Sequence, residues 1–471
     1  MLFVSLDFIE FFLPLLLILY YAAFRLFLSL NIIVLLIASI VFCLYNGFNQ
    51  GVLLLVSISV NFIIAKEIQA NINFEFKQKL YLIFGVLLNI LCLSYFKYSN
   101  FIIENASALL SLTYSKYDIR LPLGISFYTF TQIAFLIDVS RGHGPKILNF
   151  STYALFVTYF PHVIAGPIIH WKEMFPQFLS LSKVKKNIVA DVELQNLFFK
   201  GAGLFSIGVL KKIIMADQLS EYVSIGFEHV KNLTFTEAWF TSLSYTFQLY
   251  FDFSGYCDMA IGISFMLGIA LPINFNSPYK ATSIKEFWRC WHITLSTWLR
   301  DYVYIPLGGN RGGRIRTLRN LFLTFIIGGV WHGASWTFIV WGALHGIACC
   351  IQELWAEYKM PMSKAFAFTI TFLFINFSWV FFRASDLTTA FCLLKKMIEP
   401  AYPARINSIS QISLLLISAC VVWLLPNSQS ISDKFPLASS KYTGIFLGIA
   451  IFITIVSQNS APTSPFLYFN F

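Results

Sequence analysis

Hydrophobic and polar positions along this chain fall in long blocks rather than in strand-like alternation. From Leu26 to Ala65 no residue is charged. A helix of that length rises about 60 Å, enough for two crossings of a ~30 Å hydrocarbon core. Asn46-Gly47-Phe48-Asn49-Gln50-Gly51 divides the run, so the pattern predicts a transmembrane hairpin. Further apolar blocks cover 8 to 24, 80 to 96, 121 to 137, 147 to 169, 201 to 216, 235 to 270, 321 to 352, 365 to 382, 406 to 425 and 442 to 459. The expected fold is all-α: a polytopic membrane protein of roughly ten to twelve spanning helices, with re-entrant and interfacial helices around a central tunnel.

Charge placement gives these blocks a direction. Asp7 and Glu10 stand at the start of the first block with no basic region before it, so that block is expected to be retained rather than cleaved. With this acidic start outside, Arg25 falls inside, residues 46 to 51 outside, and Lys66, Lys77 and Lys79 inside, as the positive-inside pattern requires. Alternation then strains. Arg141 and Lys146 precede the block at 147 to 169, while Lys172, Lys183, Lys185 and Lys186 follow it, so both of its ends look cytoplasmic. A re-entrant hairpin broken around Gly166-Pro167 reconciles them, and non-helical backbone at that depth implies an internal cavity. The most basic region, 280 to 319, is expected at the cytoplasmic surface.

Composition narrows the class. The chain has 471 residues, 57% hydrophobic and 12% charged, against about 25% charged in ordinary soluble proteins. Glycine, proline and aromatic content argue against disorder, and the block pattern argues against an outer-membrane barrel. The net charge of +10 resides mostly beside apolar blocks, which makes nucleic acid a poor partner and the lipid bilayer the expected one. Eight cysteines lie mostly inside apolar segments without zinc-type spacing, so they read as small buried hydrophobes and no metal site is expected. Without a repeat or a linker, residues 1–471 read as a single domain.

His332 is the most informative polar residue. It lies in Gly328-Gly329-Val330-Trp331-His332-Gly333, within a run from Leu321 to Gln352 free of Asp, Glu, Lys and Arg. An ionisable group at that depth is a functional candidate, although a neutral histidine bonded between helices fits the position too. The flanking glycines permit close approach of a substrate or another backbone. A second Trp-His pair ends in His292, inside Phe287-Trp288-Arg289-Cys290-Trp291-His292-Ile293-Thr294-Leu295-Ser296-Thr297-Trp298-Leu299-Arg300. Its tryptophans and arginines suggest an interfacial helix, which leaves His292 unexplained. His345 follows His332 by 13 residues, about 220° around one continuous helix, and reads as a supporting group. The loop Leu307-Gly308-Gly309-Asn310-Arg311-Gly312-Gly313-Arg314 lacks nucleotide-loop spacing; it either holds donor phosphates or is a positive-inside loop. Asp252 and Asp258 are candidates for a cation or proton site, or for packing and pairing with a base.

Several stretches in one order make the chain resemble the membrane-bound O-acyltransferases, in the branch that O-acetylates alginate and peptidoglycan. They are Leu121 to Phe130 (LPLGISFYTF), Phe160 to Pro167 (FPHVIAGP), Asp252 to Gly262, Asn274 to Tyr279 (NFNSPY), Phe287 to Gly309, and Gly328 to Gly346. The match spans nearly the whole chain, with a core at about 121–352. Cys290 and Cys257 depart from it, standing where arginine and a small residue such as serine are usual.

The resemblance implies transfer of an acetyl group from a cytosolic thioester to hydroxyls of an envelope polysaccharide, in the inner membrane of a bacterium. Acetyl-coenzyme A is then a donor substrate, with no permanently bound cofactor. His332 matches the family's essential histidine and His292 the second one. An imidazole suits general-base activation of a hydroxyl at neutral pH. Asn276 is a candidate oxyanion donor, and Arg300, Arg311 and Arg314 are candidates for the donor's phosphates. The aromatic tail 465–471 matches a form seen in this branch: Tyr468 is either an acyl carrier toward an extracytoplasmic partner transferase or an interfacial anchor. Two other functions compete, a transporter or channel using the intramembrane His and Asp residues, and a non-catalytic scaffold for an envelope enzyme.

Overall fold

The computed structural model describes residues 1–26, 30–113, 115–181, 188–358, 361–399, 408–433, 440–460 and 466–467. Among them every regular element is helical. Five helices are long and apolar enough to cross a membrane: Asp7–Leu26, Phe48–Ala70, Glu75–Leu109, Trp336–Tyr358 and Lys364–Arg383. Leu30–Tyr45, Ile125–Ser140, Ile409–Leu424 and Gly444–Ser457 are shorter apolar helices. Leu15, Ile18, Ile37, Ile83 and Leu91 point outward from these elements, as expected of helices whose outer solvent is lipid and whose backbone groups are all paired internally.

Contacts divide the chain into two compact units. The first comprises residues 1–206, 259–272 and 435–458. Its charge-free hairpin pairs Leu30–Tyr45 with Phe48–Ala70. The turn lies at Asn46-Gly47, where Gly47 has φ +151°, a conformation that only glycine adopts at low cost. The Tyr45 hydroxyl donates to Asp7 Oδ2 at 2.6 Å, so the acidic start and this turn share one end. Gln69 and Gln78 donate to the carbonyls of Pro145 and Ser140, both at 2.8 Å, which ties the segment after Ile125–Ser140 to the turn between Phe48–Ala70 and Glu75–Leu109. Inside, Asn89 Nδ2 donates to Asn61 Oδ1 at 2.6 Å and Gln132 Nε2 to Ser57 Oγ at 3.0 Å, polar ties between otherwise apolar helices.

The block at 147 to 169 is broken, though not first where expected. Phe150–Thr158 has nine residues, a rise of about 14 Å and too short to span. The chain kinks at Tyr159, and Pro161 starts the four-residue helix Phe160–Val163. The Gly166-Pro167 region forms a second turn, in which a Cβ on Gly166 would lie 2.5 Å from His162 Cα. His162 Nε2 donates to the Phe156 carbonyl at 3.0 Å, which fastens the kink. Lys183, Lys185 and Lys186, the other half of the charge pattern here, lie outside the described residues.

The second unit comprises residues 207–258, 273–434 and 459–471. Two sequence expectations change in it. The run 321 to 352 is not one helix but a hairpin, Arg314–His332 and Trp336–Tyr358, so the 220° separation of His332 from His345 does not apply. Its glycines serve backbone contact: a Cβ on Gly329 would meet the Phe338 carbonyl oxygen at 2.4 Å, and one on Gly342 the Phe325 oxygen at 2.5 Å. The Trp-rich stretch is likewise no single interfacial helix. Ser283 caps Ile284–Cys290, the chain turns at His292 with φ +43°, and Ile293–Leu299 follows. Trp291 and Trp298 are buried rather than turned to an interface. Among the cysteines, Cys257 and Cys349 are buried but Cys420 is exposed, against the expectation for that residue.

Candidate active site

His332 is the last residue of Arg314–His332, placed at the turn of the hairpin. The ring is 3% exposed and lies edge-on to Trp331, Trp341 and Phe382, with centroids 4.9 to 5.1 Å apart. These aromatic neighbours fix its plane. It also borders a cavity of about 510 Å³ whose wall includes Trp288, Leu295, Thr324, Gly328 and Trp341. Lys285, Arg289 and Arg300 line the same cavity. Arg289 and Arg300 are exposed while His332 is buried, so the cavity runs from basic surface to imidazole.

Of the arginines expected to hold donor phosphates, Arg300 is therefore on the cavity, where Asp301 accepts from its Nε at 2.7 Å. Arg311 and Arg314 are exposed and do not line it, and Arg314 pairs with Glu357 at 3.2 Å. Lys285 and Arg289 were not singled out by sequence. Their signal was present: four residues apart, they share a face of the short helix opened by Ser283 and flank Trp288. Lys285 is paired with Glu353.

His292 is fully buried and does not line the cavity. Its Nδ1 donates to Asn274 Oδ1 at 3.1 Å, which leaves Nε2 as the acceptor of the neutral ring. Asn274 Oδ1 also accepts from Thr294 N and Oγ1, and its Nδ2 donates to Cys257 Sγ at 3.3 Å. One amide thus over-determines a backbone conformation that a non-glycine residue rarely holds. Trp331 connects the two histidines, its ring 6.3 Å from His292 and 4.9 Å from His332. Sequence reasoning chose Asn276 and passed over Asn274. Asn276 is exposed, off the cavity, and its Oδ1 accepts from Asn427 at 2.5 Å.

His345 has both nitrogens engaged. Trp288 Nε1 donates to its Nδ1 at 3.2 Å, so Nε2 carries the proton and donates to Ser378 Oγ at 3.0 Å. It holds Trp288 against the cavity, consistent with a supporting place.

Asp252 and Asp258 lie on Phe235–Met266, the helix that continues from the second unit into the first. Both are paired. Lys212 Nζ lies 2.7 Å from Asp252 and 2.8 Å from Asp217, and Lys211 Nζ lies 2.7 Å from Asp258. Two adjacent lysines in the apolar block 201 to 216 were the overlooked sign of this network. Tyr468 lies outside the described residues.

The model of the membrane-bound O-acyltransferase family matches residues 76–388. The chain is 39% identical to a peptidoglycan O-acetyltransferase of Helicobacter pylori, covering 93% of this chain and 91% of that protein. It is 43% identical to a probable alginate O-acetylase of Pseudomonas aeruginosa, over 68% of this chain and 60% of that one. A teichoic acid D-alanyltransferase of Bacillus subtilis is 29% identical over 55% of this chain and 68% of its own length. With two thirds of its length under the family model and its histidine-bearing hairpin inside that span, the chain belongs to the membrane-bound O-acyltransferase family.

Proposed function

We propose that this O-acyltransferase takes an acetyl group from a cytosolic thioester, acetyl-coenzyme A or a similar donor, and delivers it toward hydroxyls of an extracytoplasmic polysaccharide. Its place is the bacterial cytoplasmic membrane. The observation that carries this is the cavity bordered by both the buried His332 and the exposed Arg289 and Arg300. The donor's phosphates sit among Lys285, Arg289 and Arg300, and its acyl-thioester end reaches the aromatic chamber.

His332 then takes the proton of the incoming hydroxyl as its oxygen attacks the thioester carbon. The carbon–sulfur bond breaks, and the imidazolium returns the proton to the departing thiolate. General-base help of this kind is worth roughly 10² to 10⁴ in rate. The carbonyl end of the helix that His332 terminates carries partial negative charge and favours the imidazolium as it forms. His292, held by Asn274, acts from behind Trp331 as a positioning residue.

Tyr468 is the proposed first acceptor, handing the acetyl group to an extracytoplasmic partner transferase. Peptidoglycan is the favoured acceptor class, because the peptidoglycan O-acetyltransferase matches the chain almost end to end, whereas the alginate relative matches two thirds. Asp252 and Asp258, the carboxylates a transporter would use, pair with lysines and do not line the cavity that His332 borders.

His332→Ala in the full chain tests the proposal. Ester-linked acetate released from envelope fractions should fall at least a hundredfold at unchanged membrane abundance. Unchanged acetate would leave only the scaffold. Mass spectrometry of the chain with excess donor should find an acyl adduct on the peptide carrying Tyr468.

A further inference from the structure

Three groups converge on the segment Phe466-Leu467, which sequence had assigned no binding partner. The Phe466 ring is 1% exposed. It meets the Tyr256 ring edge-on at 4.7 Å, and Lys212 Nζ lies 4.6 Å from its centroid. Beside it, the Leu467 backbone N–H donates to Asp252 Oδ2 at 2.9 Å. The other oxygen of that carboxylate, Oδ1, accepts from Lys212 at 2.7 Å. Asp252 thus bridges a buried cation and a backbone donor from a segment 215 residues away in sequence.

The chemistry is that of a receptor for a short aromatic peptide. An apolar socket takes the ring, an ammonium lies against the ring's negative face, and a carboxylate fixes the backbone beyond it. Lys212 serves both functions, and Asp217 supplies it with a second carboxylate at 2.8 Å. The pocket therefore retains a charge partner when Asp252 is changed. A pair that only tied helices together would have no need to spend one carboxylate oxygen on the tail.

We infer that Asp252, Lys212 and Tyr256 form a docking site for the tail segment, with Asp252 as a positioning residue that sets where Tyr468 is presented. This rests on the proposed role of Tyr468 as acyl acceptor, which it deepens. Leu467 immediately precedes Tyr468 in the sequence, so the anchored N–H adjoins the proposed carrier. An unanchored tail would search the whole reach of its tether.

Docking is read chemically, independent of turnover. A Phe466→Cys thiol in the full chain, in native membranes, should react slowly with maleimide, quantified on the tail peptide by mass spectrometry. Adding Asp252→Asn should speed that labelling about tenfold through loss of one charge-assisted bond, and Asp252→Glu should restore most of the protection. Asp252→Asn with native Phe466 should lower envelope acetate with membrane abundance unchanged. Labelling that is fast in both backgrounds, or equally slow in both, overturns the docking site. Tail release by Asp252→Asn with wild-type acetylation overturns the positioning role. Full acetylation by Tyr468→Phe removes the carrier role instead, and the labelling result then stands as docking alone.

Discussion

The chain contains two helical hairpins centred on charge-free runs, 26 to 65 and 321 to 352, and they are built for different ends. In Leu30–Tyr45 and Phe48–Ala70, the turn glycine Gly47 has an unusual backbone, and polar groups such as Asn61 and Ser57 bond to amides of neighbouring helices, Asn89 and Gln132. In Arg314–His332 and Trp336–Tyr358, Gly329 and Gly342 let the two backbones touch where the helices cross, Gly333 lies in the turn, and an imidazole borders a cavity. Lack of charge marks both for the membrane. What separates a structural hairpin from a chemical one is whether its polar side chain is consumed by a partner amide or kept against open volume beside aromatic walls.

That contrast breaks first at the glycine crossing. Gly342→Ala places a methyl 2.5 Å from the Phe325 carbonyl oxygen, a backbone atom with nowhere to go. It should cost about 1 to 3 kcal/mol or more through overpacking, seen as an earlier thermal unfolding transition in detergent together with loss of acetylation. Arg289→Glu sharpens the contrast at the basic mouth. The apparent KM for acetyl-coenzyme A should rise about tenfold with kcat nearly unchanged, since the site binds the donor alike before and during reaction. Asn61→Ala in the other hairpin should have the smallest effect. Interhelical polar ties in membranes are worth about 0.6 kcal/mol on average, so the thermal transition should shift slightly while acetate release stays at the wild-type level.

Much of this was legible before any coordinates, because lipid imposes a simple rule on block length and charge. The turn at Asn46-Gly47 and the apolar helices on either side of it follow from it, whereas the break of 321 to 352 into the His332 hairpin does not. The kinks at Tyr159 and His292 were not legible. Neither has a glycine, and each depends on bonds from residues distant in sequence or on a proline two positions further along, which supplies no N–H to continue the preceding helix. The cavity's Lys285 and Arg289 were readable only as one pair four residues apart, since a seven-residue helix shows no further period to set them apart from the other basic residues of 280 to 319. Asn274 was passed over for Asn276 because the motif contains both, and only the fold reveals which amide is buried.

Every residue lining the cavity lies between Lys285 and Cys349. On the proposed reaction, acyl-group choice would be encoded in one contiguous cassette and could change without touching the remaining helices. Gly328 illustrates how small a change suffices: a methyl added there would meet Leu299 Cδ1 at 3.2 Å and shrink the chamber from one side. Exchange of this cassette with the D-alanyltransferase relative is then a compact way to carry acyl preference from one chain to another, donor recognition travelling with it.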